Sequence, residues 1–549
     1  MFSNKENVNI LTALIVSHGI RHAVVCPGSR NAPLTHNLNE CEAITCHPIT
    51  DERSAGFYAL GMALRLKEPV AVCVTSGSAL LNVLPAVAEA YYQQVPIVVI
   101  SADRPPQWID QNDGQTMPQG DALGRFVKKS VTLCEPADDE QRWMCNRLVN
   151  EVLLEATHHG CGPVHVNIPI SEPLYEFTTE KLPEERKINR MVANDIPQQV
   201  TTVIQQIATA QKPMVLLSQY HTKVYDNQWQ DSLEKLYRHC VVLAERLCEG
   251  NMPQTPIDDM VAEIENNADY IPDTLVYIGG SPVSKKLKTW LRKANLKSMI
   301  RVSCDGTVAD TFMQLDTLVE MEPERFVQML GNTFAERAEK EKYNHTSHTE
   351  REAFIERWTL LRLNTTEKNN RHIGSSLQEY AVKEFEKLLA NNASKPQVHY
   401  ANSTAVRLAE RHATHCIYCN RGINGIEGSL SAAAGMSMVT NETVYCVIGD
   451  LSFFYDQNAL WAQGLRGNLR ILLLNNGGGA IFKRFEGLKE SNARERIVMA
   501  CHHTTAEGIC MENNVGYVGI RRAEQIAGGL EWLMNTESER PLLLEISEN

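Results

Sequence analysis

The sequence predicts an α/β fold of three domains, each built on a parallel sheet flanked by helices. The chain has 549 residues, and at roughly 150 residues per domain this length suits three to four domains. Hydrophobic residues make up 43% and charged residues 22%, a balance that is typical of globular proteins. Short apolar runs alternate with longer helical segments along most of the chain, as is typical of parallel sheets covered by helices.

The short apolar runs are the expected buried strands, and they fall into three sets. The first set is Ala23–Cys26, Val70–Val74, Ile97–Ile100 and Val164–Ile168. The second set is Met214–Leu217, Val241–Ala244, Leu275–Ile278 and Met299–Val302. The third set is Val398–Tyr400, Val444–Ile448, Ile471–Leu474 and Leu542–Ile546.

Two polar stretches, Glu176–Asn194 and Glu336–Arg371, separate these sets and are the expected linkers. The expected domains are therefore residues 1–178, 196–335 and 372–549. The first and third resemble each other, because one pair of consecutive strands in each is spaced alike, by 26 residues from Val72 to Val98 and from Val447 to Leu473. Two similar domains around a different one suggest a ligand held between the outer pair, at the carboxyl ends of strands.

Charge and composition exclude several classes of protein. Lys and Arg total 53 against 66 Asp and Glu, and the net charge of −13 argues against a broad nucleic-acid-binding surface. No apolar run approaches the roughly 18 residues that span a bilayer. The 15 cysteines are odd in number and scattered, which favours free thiols in a reducing cytoplasm. We therefore expect a cytoplasmic enzyme.

The strongest chemical signal is Gly449-Asp450, followed by Asn476 within an Asn-Asn-Gly-Gly-Gly segment. Both follow expected strands, so a carboxylate and an amide oxygen should meet at one edge of the sheet. Oxygen ligands beside a phosphate suit Mg²⁺, and the glycines allow the backbone to approach a diphosphate closely. The alternative, two turns that merely connect strands, is weaker for an ordered pair on consecutive strands.

This ordered pair resembles the metal-diphosphate motif of thiamine diphosphate enzymes, although Leu451 stands where that motif usually has glycine. The resemblance implies that the outer domains bind thiamine diphosphate with Mg²⁺ or Mn²⁺. It also implies a glutamate in the first domain that favours the imino tautomer of the cofactor's pyrimidine. Glu52, at the start of a helix rich in small residues, is the candidate. The alternative for Glu52 is a carboxylate that complements the helix dipole.

Four further segments resemble the family of 2-succinyl-5-enolpyruvyl-6-hydroxy-3-cyclohexene-1-carboxylate synthases of menaquinone biosynthesis. They are Pro27–Thr35, Ala102–Pro106 with Gln115 after it, Asn420–Gly428 and Asp450–Leu460. In the middle domain the resemblance is limited to the stretch from Gly279 to Lys286. The family implies a transferase that decarboxylates 2-oxoglutarate and adds the remaining succinyl unit to isochorismate.

The resemblance also implies roles for individual residues. Glu52 and Arg421 are the expected catalytic residues, and Asp450, Asn476 and the carbonyl of Gly478 are the expected metal ligands. Cofactor contacts are expected from Glu52, Ser403, Ile426, Gly449, Asp450, Leu451, Ser452, Asn476 and Gly478. Substrate contacts are expected from Ser29, Arg30, Arg104, Gln115, Lys285, Lys286, Ser403, Arg407 and Arg421, with Ser403 and Arg407 on the succinyl carboxylate.

The local charge pattern supports these assignments independently. Two substrates bring four carboxylates, and arginine binds carboxylates in a bidentate manner. Arginines and lysines in the motif loops form a local excess of positive charge in an acidic protein, which suits an anion-binding site. The implied assembly is a homodimer, with a dimer of dimers (a homotetramer) as its extension, and with no nucleic acid or membrane span.

Two alternatives stay open at this point. The first is another thiamine diphosphate lyase, or an acetohydroxyacid-type synthase with a flavin in the middle domain. The second is a non-catalytic regulator on the same scaffold, although the presence of both Glu52 and Asp450 argues against it.

Overall fold

The computed structural model describes residues 1–192, 195–222, 227–342, 350–372, 374–391 and 396–548, and these form three parallel sheets. The first sheet contains β1 (His22–Val25), β2 (Thr45–Pro48), β3 (Val70–Val74), β4 (Ile97–Asp103), β5 (Ser130–Thr132) and β6 (Val164–Pro169). The middle sheet contains β7 (Pro213–Leu217), β8 (Val241–Ala244), β9 (Thr274–Ile278), β10 (Ser298–Ser303) and β11 (Thr317–Glu320). The third contains β12 (Gln397–Tyr400), β13 (Val444–Gly449), β14 (Leu469–Asn475), β15 (Gly516–Ile520) and β16 (Leu542–Ser547).

Helices flank each sheet, which confirms the predicted α/β class. Those of the first sheet are α1 (Glu6–Ser17), α2 (Ala32–Glu40), α3 (Glu52–Leu66), α4 (Ser78–Asn82), α5 (Leu84–Gln93) and α6 (Asp139–Glu155). Those of the middle sheet are α7 (Gln198–Thr209), α8 (Asn227–His239), α9 (Ile257–Ile264), α10 (Lys285–Lys293), α11 (Pro323–Lys342) and α12 (Glu350–Arg371). Those of the third are α13 (Leu377–Ala390), α14 (Thr404–His412), α15 (Ser429–Met438), α16 (Asp450–Tyr455), α17 (Glu507–Glu512) and α18 (Ile526–Asn535). Throughout the described residues, every helix is too short or too polar to cross a bilayer.

The first and third sheets share one strand order, which agrees with the resemblance expected between these two domains. The first runs β2-β1-β3-β4-β6-β5 and the third runs β12-β13-β14-β16-β15. When the edge strand β2 is left out, the two orders are the same. In both sheets the strand that comes last in the chain lies next to the third strand, and the strand before it lies at the edge. The middle sheet runs β11-β10-β9-β7-β8, a different arrangement. The resemblance between the outer units therefore extends to their topology.

All the expected strands are present, but four strands were missed. These are β2, β5, β11 and β15, and each lies at the edge of its sheet. Their residues are partly exposed, so they lack the continuous apolar run that marks a buried parallel strand.

The stretch Glu336–Arg371, expected as a linker, instead contributes to the middle core. Its helix α12 buries Phe354, Trp358 and Leu361 in the same apolar cluster as residues of β7 and β9. The three apolar residues are four and three residues apart, so they lie on one face of the helix. The many charged residues around them made this pattern hard to recognise in the sequence.

The first and third units meet through α3 and α15. Both helices are rich in small residues, and their packing places backbone against backbone. A Cβ atom on Gly61 would lie 1.9 Å from the Ala432 carbonyl oxygen, and one on Gly435 would lie 2.2 Å from the Tyr58 carbonyl oxygen. Only glycine permits these approaches, which explains the glycines at positions 61 and 435.

Candidate active site

Asp450 lies where β13 ends and α16 begins. Its side chain is buried, with 4% exposure, and its oxygens accept hydrogen bonds from the backbone N–H of Leu451 at 2.7 Å and of Gly478 at 2.8 Å. Burial raises the pKa of Asp450 against the opposing effect of these two donors. A cation beside the carboxylate would offset the cost of keeping this buried group charged.

Asn476 follows the neighbouring strand β14 and presents a free oxygen. Its Nδ2 donates to Gln378 Oε1 at 3.2 Å, while its buried Oδ1 has no hydrogen-bond partner among the described residues. The adjacent Gly478 has φ of +145°, a conformation that side chains rarely adopt. The third predicted ligand, the Gly478 carbonyl, accepts a hydrogen bond from the Ala480 N–H at 2.9 Å. The predicted set of a carboxylate, an amide oxygen and a backbone carbonyl fits the oxygen preference of Mg²⁺. Within the described ranges, no cluster of three or more His, Cys, Asp or Glu side chains is arranged to hold a metal.

Except for Glu52, the other residues predicted to contact the cofactor lie in the third unit. The Ser452 hydroxyl donates to the carbonyl of Ile426, and the Ile426 side chain is 43% exposed. Ser403, just before α14, has φ of +73°, a strained conformation for a residue other than glycine. Its carbonyl accepts a hydrogen bond from Arg407 Nη1 at 2.8 Å. The strain at Ser403 is consistent with a functional position, because such strain persists where the surroundings hold it.

Arg421 lies between the middle and third units. It is 7% exposed, and its Nη1 donates to Asn402 Oδ1 at 3.2 Å. The Asn402 side chain also donates to the carbonyl of Gly425 at 2.7 Å, so it holds the loop that carries the arginine. Nη2 of Arg421 lies 3.5 Å from the carbonyl oxygen of Pro282, just before the lysine-bearing helix α10.

Lys285 and Lys286 are the first residues of α10, whose start is capped by Ser284 through a 2.9 Å hydrogen bond from the Leu287 N–H. A cavity of about 220 Å³ between the middle and third units is lined by side chains of both charges. Two of the predicted substrate-binding cations, Lys286 and Arg407, line it together with Ile481, which follows Gly478 by three positions. The other charged residues that line it are Arg411 and five acidic residues, Glu245, Asp258, Asp259, Glu379 and Glu410.

Glu52 is the first residue of α3, and its neighbour Asp51 provides the helix cap. Asp51 accepts hydrogen bonds from the N–H groups of Arg53 at 2.9 Å and Ser54 at 3.3 Å. Glu52 is therefore not needed as the cap, and its carboxylate lies 3.4 Å from the Asn82 side-chain nitrogen. Glu52 lies in the first turn, where its charge also complements the helix dipole, so its position agrees with both interpretations.

The remaining predicted substrate residues lie at the carboxyl end of the first sheet, and several are engaged within it. Arg30 donates to the Ile170 carbonyl and to Glu172, both at 2.8 Å. The Arg104 guanidinium lies 3.5 Å from the carboxylate of Asp113. The other two are Ser29, whose hydroxyl is 2.8 Å from the Tyr175 hydroxyl, and Gln115, whose φ is +54° and which packs beside Gly77.

The structure thus gathers the predicted residues in two groups. The first-sheet group contains Ser29, Arg30, Glu52, Arg104 and Gln115. The second group lies between the middle and third sheets and contains Lys285, Lys286, Ser403, Arg407, Arg421, Ile426, Gly449, Asp450, Leu451, Ser452, Asn476 and Gly478. The contacts described for the first group are made within the first 180 residues. Those of the second group are made mostly within the third unit, and the contact of Arg421 with the Pro282 carbonyl joins it to the middle unit.

Sequence reasoning missed three polar residues of the second group. Gln378 contacts Asn476, His502 Nε2 lies 3.4 Å from Asp450 Oδ2, and Lys288 donates to the Pro282 carbonyl at 2.9 Å. Burial and then the nearby Arg421 lower the pKa of Lys288. Lys288 follows Lys285 by three residues and so lies on the same helix face, a signal that was present in the sequence. Gln378 and His502 carry no such signal, because only the tertiary fold brings them near.

Comparison with known proteins identifies the class. Residues 6–123 match the model for the N-terminal thiamine pyrophosphate-binding domain of thiamine pyrophosphate enzymes. The chain is therefore a thiamine diphosphate-dependent enzyme, in agreement with the Gly-Asp and Asn-Asn geometry of the third sheet.

Full-length relatives identify the family more closely. The chain is 41% identical to a 2-succinyl-5-enolpyruvyl-6-hydroxy-3-cyclohexene-1-carboxylate synthase of Bacteroides thetaiotaomicron, over all of this chain and 97% of that protein. Synthases of the same name from Phocaeicola vulgatus and Porphyromonas gingivalis are 40% and 34% identical, covering 100% and 99% of this chain and 96% and 95% of those proteins. The chain belongs to the 2-succinyl-5-enolpyruvyl-6-hydroxy-3-cyclohexene-1-carboxylate synthase family. This finding favours the main prediction over an acetohydroxyacid-type synthase or a non-catalytic regulator.

Proposed function

We propose that this protein is a transferase of menaquinone biosynthesis that decarboxylates 2-oxoglutarate and adds the remaining succinyl unit to isochorismate. The observation that carries the proposal is the pair of oxygen donors at one edge of the third sheet, namely the buried carboxylate of Asp450 and the buried Oδ1 of Asn476, which has no hydrogen-bond partner among the described residues. Both substrates are dianions, so the cations of the predicted site, among them Arg407 and Arg421, suit their binding.

Different residues of the protein would bind the metal ion and the cofactor. Asp450, Asn476 and the Gly478 carbonyl would hold Mg²⁺ or Mn²⁺ against the diphosphate. Thiamine diphosphate, when bound, supplies the electron sink for decarboxylation and for the new carbon–carbon bond. Glu52 would accept a hydrogen bond from the pyrimidine ring nitrogen of the cofactor and so favour its imino tautomer.

The substrate contacts follow the two groups of residues. Ser403 and Arg407 would hold the distal carboxylate of 2-oxoglutarate, and Arg421 would lie beside the new bond. Isochorismate would be held by the remaining predicted residues, namely Ser29, Arg30, Arg104, Gln115, Lys285 and Lys286. Because Arg30 and Arg104 are paired with acidic side chains here, isochorismate binding would have to replace or share those contacts.

We further propose that residues 1–178 form the pyrimidine-binding domain, 196–335 the central domain and 372–549 the diphosphate-binding domain of a cytoplasmic homodimer. The family resemblance supports a site completed by a second subunit, because it implies that Glu52 and the Asp450 group of one cofactor site come from different chains. A site within one chain is the competing arrangement, since Arg53 beside Glu52 donates to the Tyr455 carbonyl at 2.8 Å. The fifteen free cysteines are consistent with the cytoplasm, and pairing of dimers into tetramers stays a prediction.

The reaction is tested with purified protein, thiamine diphosphate, Mg²⁺ and the two substrates. We expect release of carbon dioxide that depends on 2-oxoglutarate, and a coupled product only when isochorismate is present. Glu52→Gln should bind the cofactor normally while turnover falls by orders of magnitude. Product formation from two molecules of pyruvate, in place of 2-oxoglutarate and isochorismate, would contradict the proposal.

The assembly is tested by mixing two inactive chains. Glu52→Gln and Asp450→Ala chains, dissociated and reassociated together, should form heterodimers with one intact site, which neither parent has. Activity should appear in the mixture and in neither homodimer. A mixture that stays inactive although heterodimers are detected by native mass spectrometry would place both residues in a site within one chain.

A further inference from the structure

Glu89 is a buried carboxylate that none of the predicted roles uses. It lies on α5, next to the first sheet, and is 3% exposed. A charged group in such a place is expected to be fully hydrogen-bonded, because burying an unpaired charge is costly. The hydrogen-bond partners of Glu89 show which part of the protein it contacts.

Both oxygens of Glu89 bind the backbone of the loop that carries Arg421. Oε1 accepts a hydrogen bond from the N–H of Gly422 at 2.6 Å, and Oε2 accepts one from the N–H of Ile423 at 2.7 Å. Oε1 also accepts a hydrogen bond from the Gln93 side chain at 2.6 Å. All three partners are donors, so the site is built for a carboxylate, which only accepts.

The same network reaches the middle unit. Gln93 accepts a hydrogen bond from Gln219 at 2.9 Å, and Gln219 also donates to the carbonyl of Cys419 at 2.9 Å. Gly422 is held so closely that a Cβ there would lie 2.7 Å from the Glu89 carbonyl oxygen. The segment on both sides of Arg421 is thus held by groups from the other two units.

We propose that Glu89 is a positioning residue for Arg421, fixing the arginine's loop by binding the two backbone amides that follow it. Asn402 binds the guanidinium of Arg421 and the Gly425 carbonyl, and Glu89 binds the backbone between these points. Together they determine where the guanidinium lies. The inference rests on the proposed function, from which Arg421 takes its role.

The first test is a double-mutant cycle between Glu89→Gln and Arg421→Ala. Glutamine offers one oxygen and one NH₂ group, so one of the three donors must face another donor and the loop must shift. We expect Glu89→Gln to lower kcat by roughly ten- to a hundred-fold, because small misplacements of a reacting group have effects of this size. In the Arg421→Ala background the same change should lower kcat by less than about two-fold.

A purely structural Glu89 would behave differently. It would lower kcat by the same factor with or without Arg421, and that result would overturn the proposal. Asp273→Asn is the matched control, because Asp273 also binds two consecutive backbone amides, those of Gln211 and Lys212, each at 3.1 Å. This control should stay within about two-fold of wild-type kcat, as expected for a change away from the site.

A second variant covers the case in which Glu89→Gln does not fold. Gly422→Ala disturbs the same contact from the loop side and leaves Glu89 intact. It should also lower kcat in the wild-type background and have little effect in the Arg421→Ala background. Equal losses in both backgrounds would again overturn the proposal.

Hydrogen–deuterium exchange tests the contact without any substrate. Glu89→Gln should speed exchange in peptides covering residues 420–428, while peptides of the buried strand β14 should keep wild-type rates. Unchanged exchange in the loop would show that Glu89 does not hold it. If instead the loop responds but wild-type protein does not turn over the named substrates, the proposed function fails while the contact stands.

Discussion

Replacing Gly61 with alanine should separate α3 from α15 and destabilise the protein. The added Cβ would lie 1.9 Å from the carbonyl oxygen of Ala432, and the helices would have to part by about 1.5 Å to restore an ordinary contact of 3.4 Å. A backbone carbonyl cannot rotate away as a flexible side chain can. Overpacking of this kind costs about 1–3 kcal/mol, and the better helix propensity of alanine returns about 1 kcal/mol. We therefore expect a net loss of up to about 2 kcal/mol for the Gly61→Ala variant.

Gly528→Ala is the matched control for this experiment. Gly528 also lies inside a helix, α18, but nothing lies within 4 Å of a Cβ placed there. Only the propensity gain applies, so this variant should be as stable as wild type or more stable by up to about 1 kcal/mol. Thermal unfolding of both variants at one protein concentration and scan rate gives the comparison. If the two variants unfold at the same temperature, the close approach of the helices is not as tight as the structure indicates.

Three further predictions address the metal, the substrate and pH. Gln378→Leu should weaken Mg²⁺ and cofactor binding about 10- to 100-fold in calorimetry, because Asn476 loses the partner that orients its amide; unchanged affinity would contradict this role. Arg407→Ala should raise the Michaelis constant for 2-oxoglutarate far more than that for isochorismate, by the equivalent of about 2–5 kcal/mol, and equal rises would show that the assignment to the succinyl carboxylate is wrong. Burial alone would lower the pKa of His415, but Glu386, 3.0 Å away, raises it above the usual 6.5 overall. The stability from this pair is therefore fully present below pH 6.5 and is lost as pH rises through the raised pKa, so thermal scans should show a decline on the alkaline side that His415→Gln removes.

The central strands could be predicted because burial on both faces leaves a continuous apolar run, as in Val70–Val74. Edge strands such as Thr45–Pro48 have one side in solvent and carry mixed residues, so composition alone does not separate them from loops. Helix α12 was assigned to a linker rather than to the middle core for a related reason. Three buried apolar residues on a charged helix were outweighed by the charge around them.

The part of the site that contains Asp450 and Asn476 could be predicted from local sequence motifs. Asp450 and Asn476 each follow a strand, and parallel pairing of β13 with β14 places them at one edge, as their order in the sequence implied. Glu89 and Gln378 could not be found this way. Glu89 contacts backbone amides, and Gln378 contacts another side chain, and in both cases the partner is far away in sequence. No local sequence pattern distinguishes such a residue from one that only packs.

The contact between α3 and α15 explains why the small residues and the site residues occur together in the sequence. Helix α3 begins at Glu52, and α15 begins just after the loop that carries Arg421 and Ile426. Glycines at the contact let the two backbones touch. The distance between the helices is therefore fixed by backbone contact and does not vary with side-chain rotamers. Each helix begins beside a group predicted to act on the cofactor, and the contact fixes the spacing between the two helices. A bulkier residue at Gly61 should therefore reduce turnover as well as stability, and a second change that restores the helix spacing should recover both.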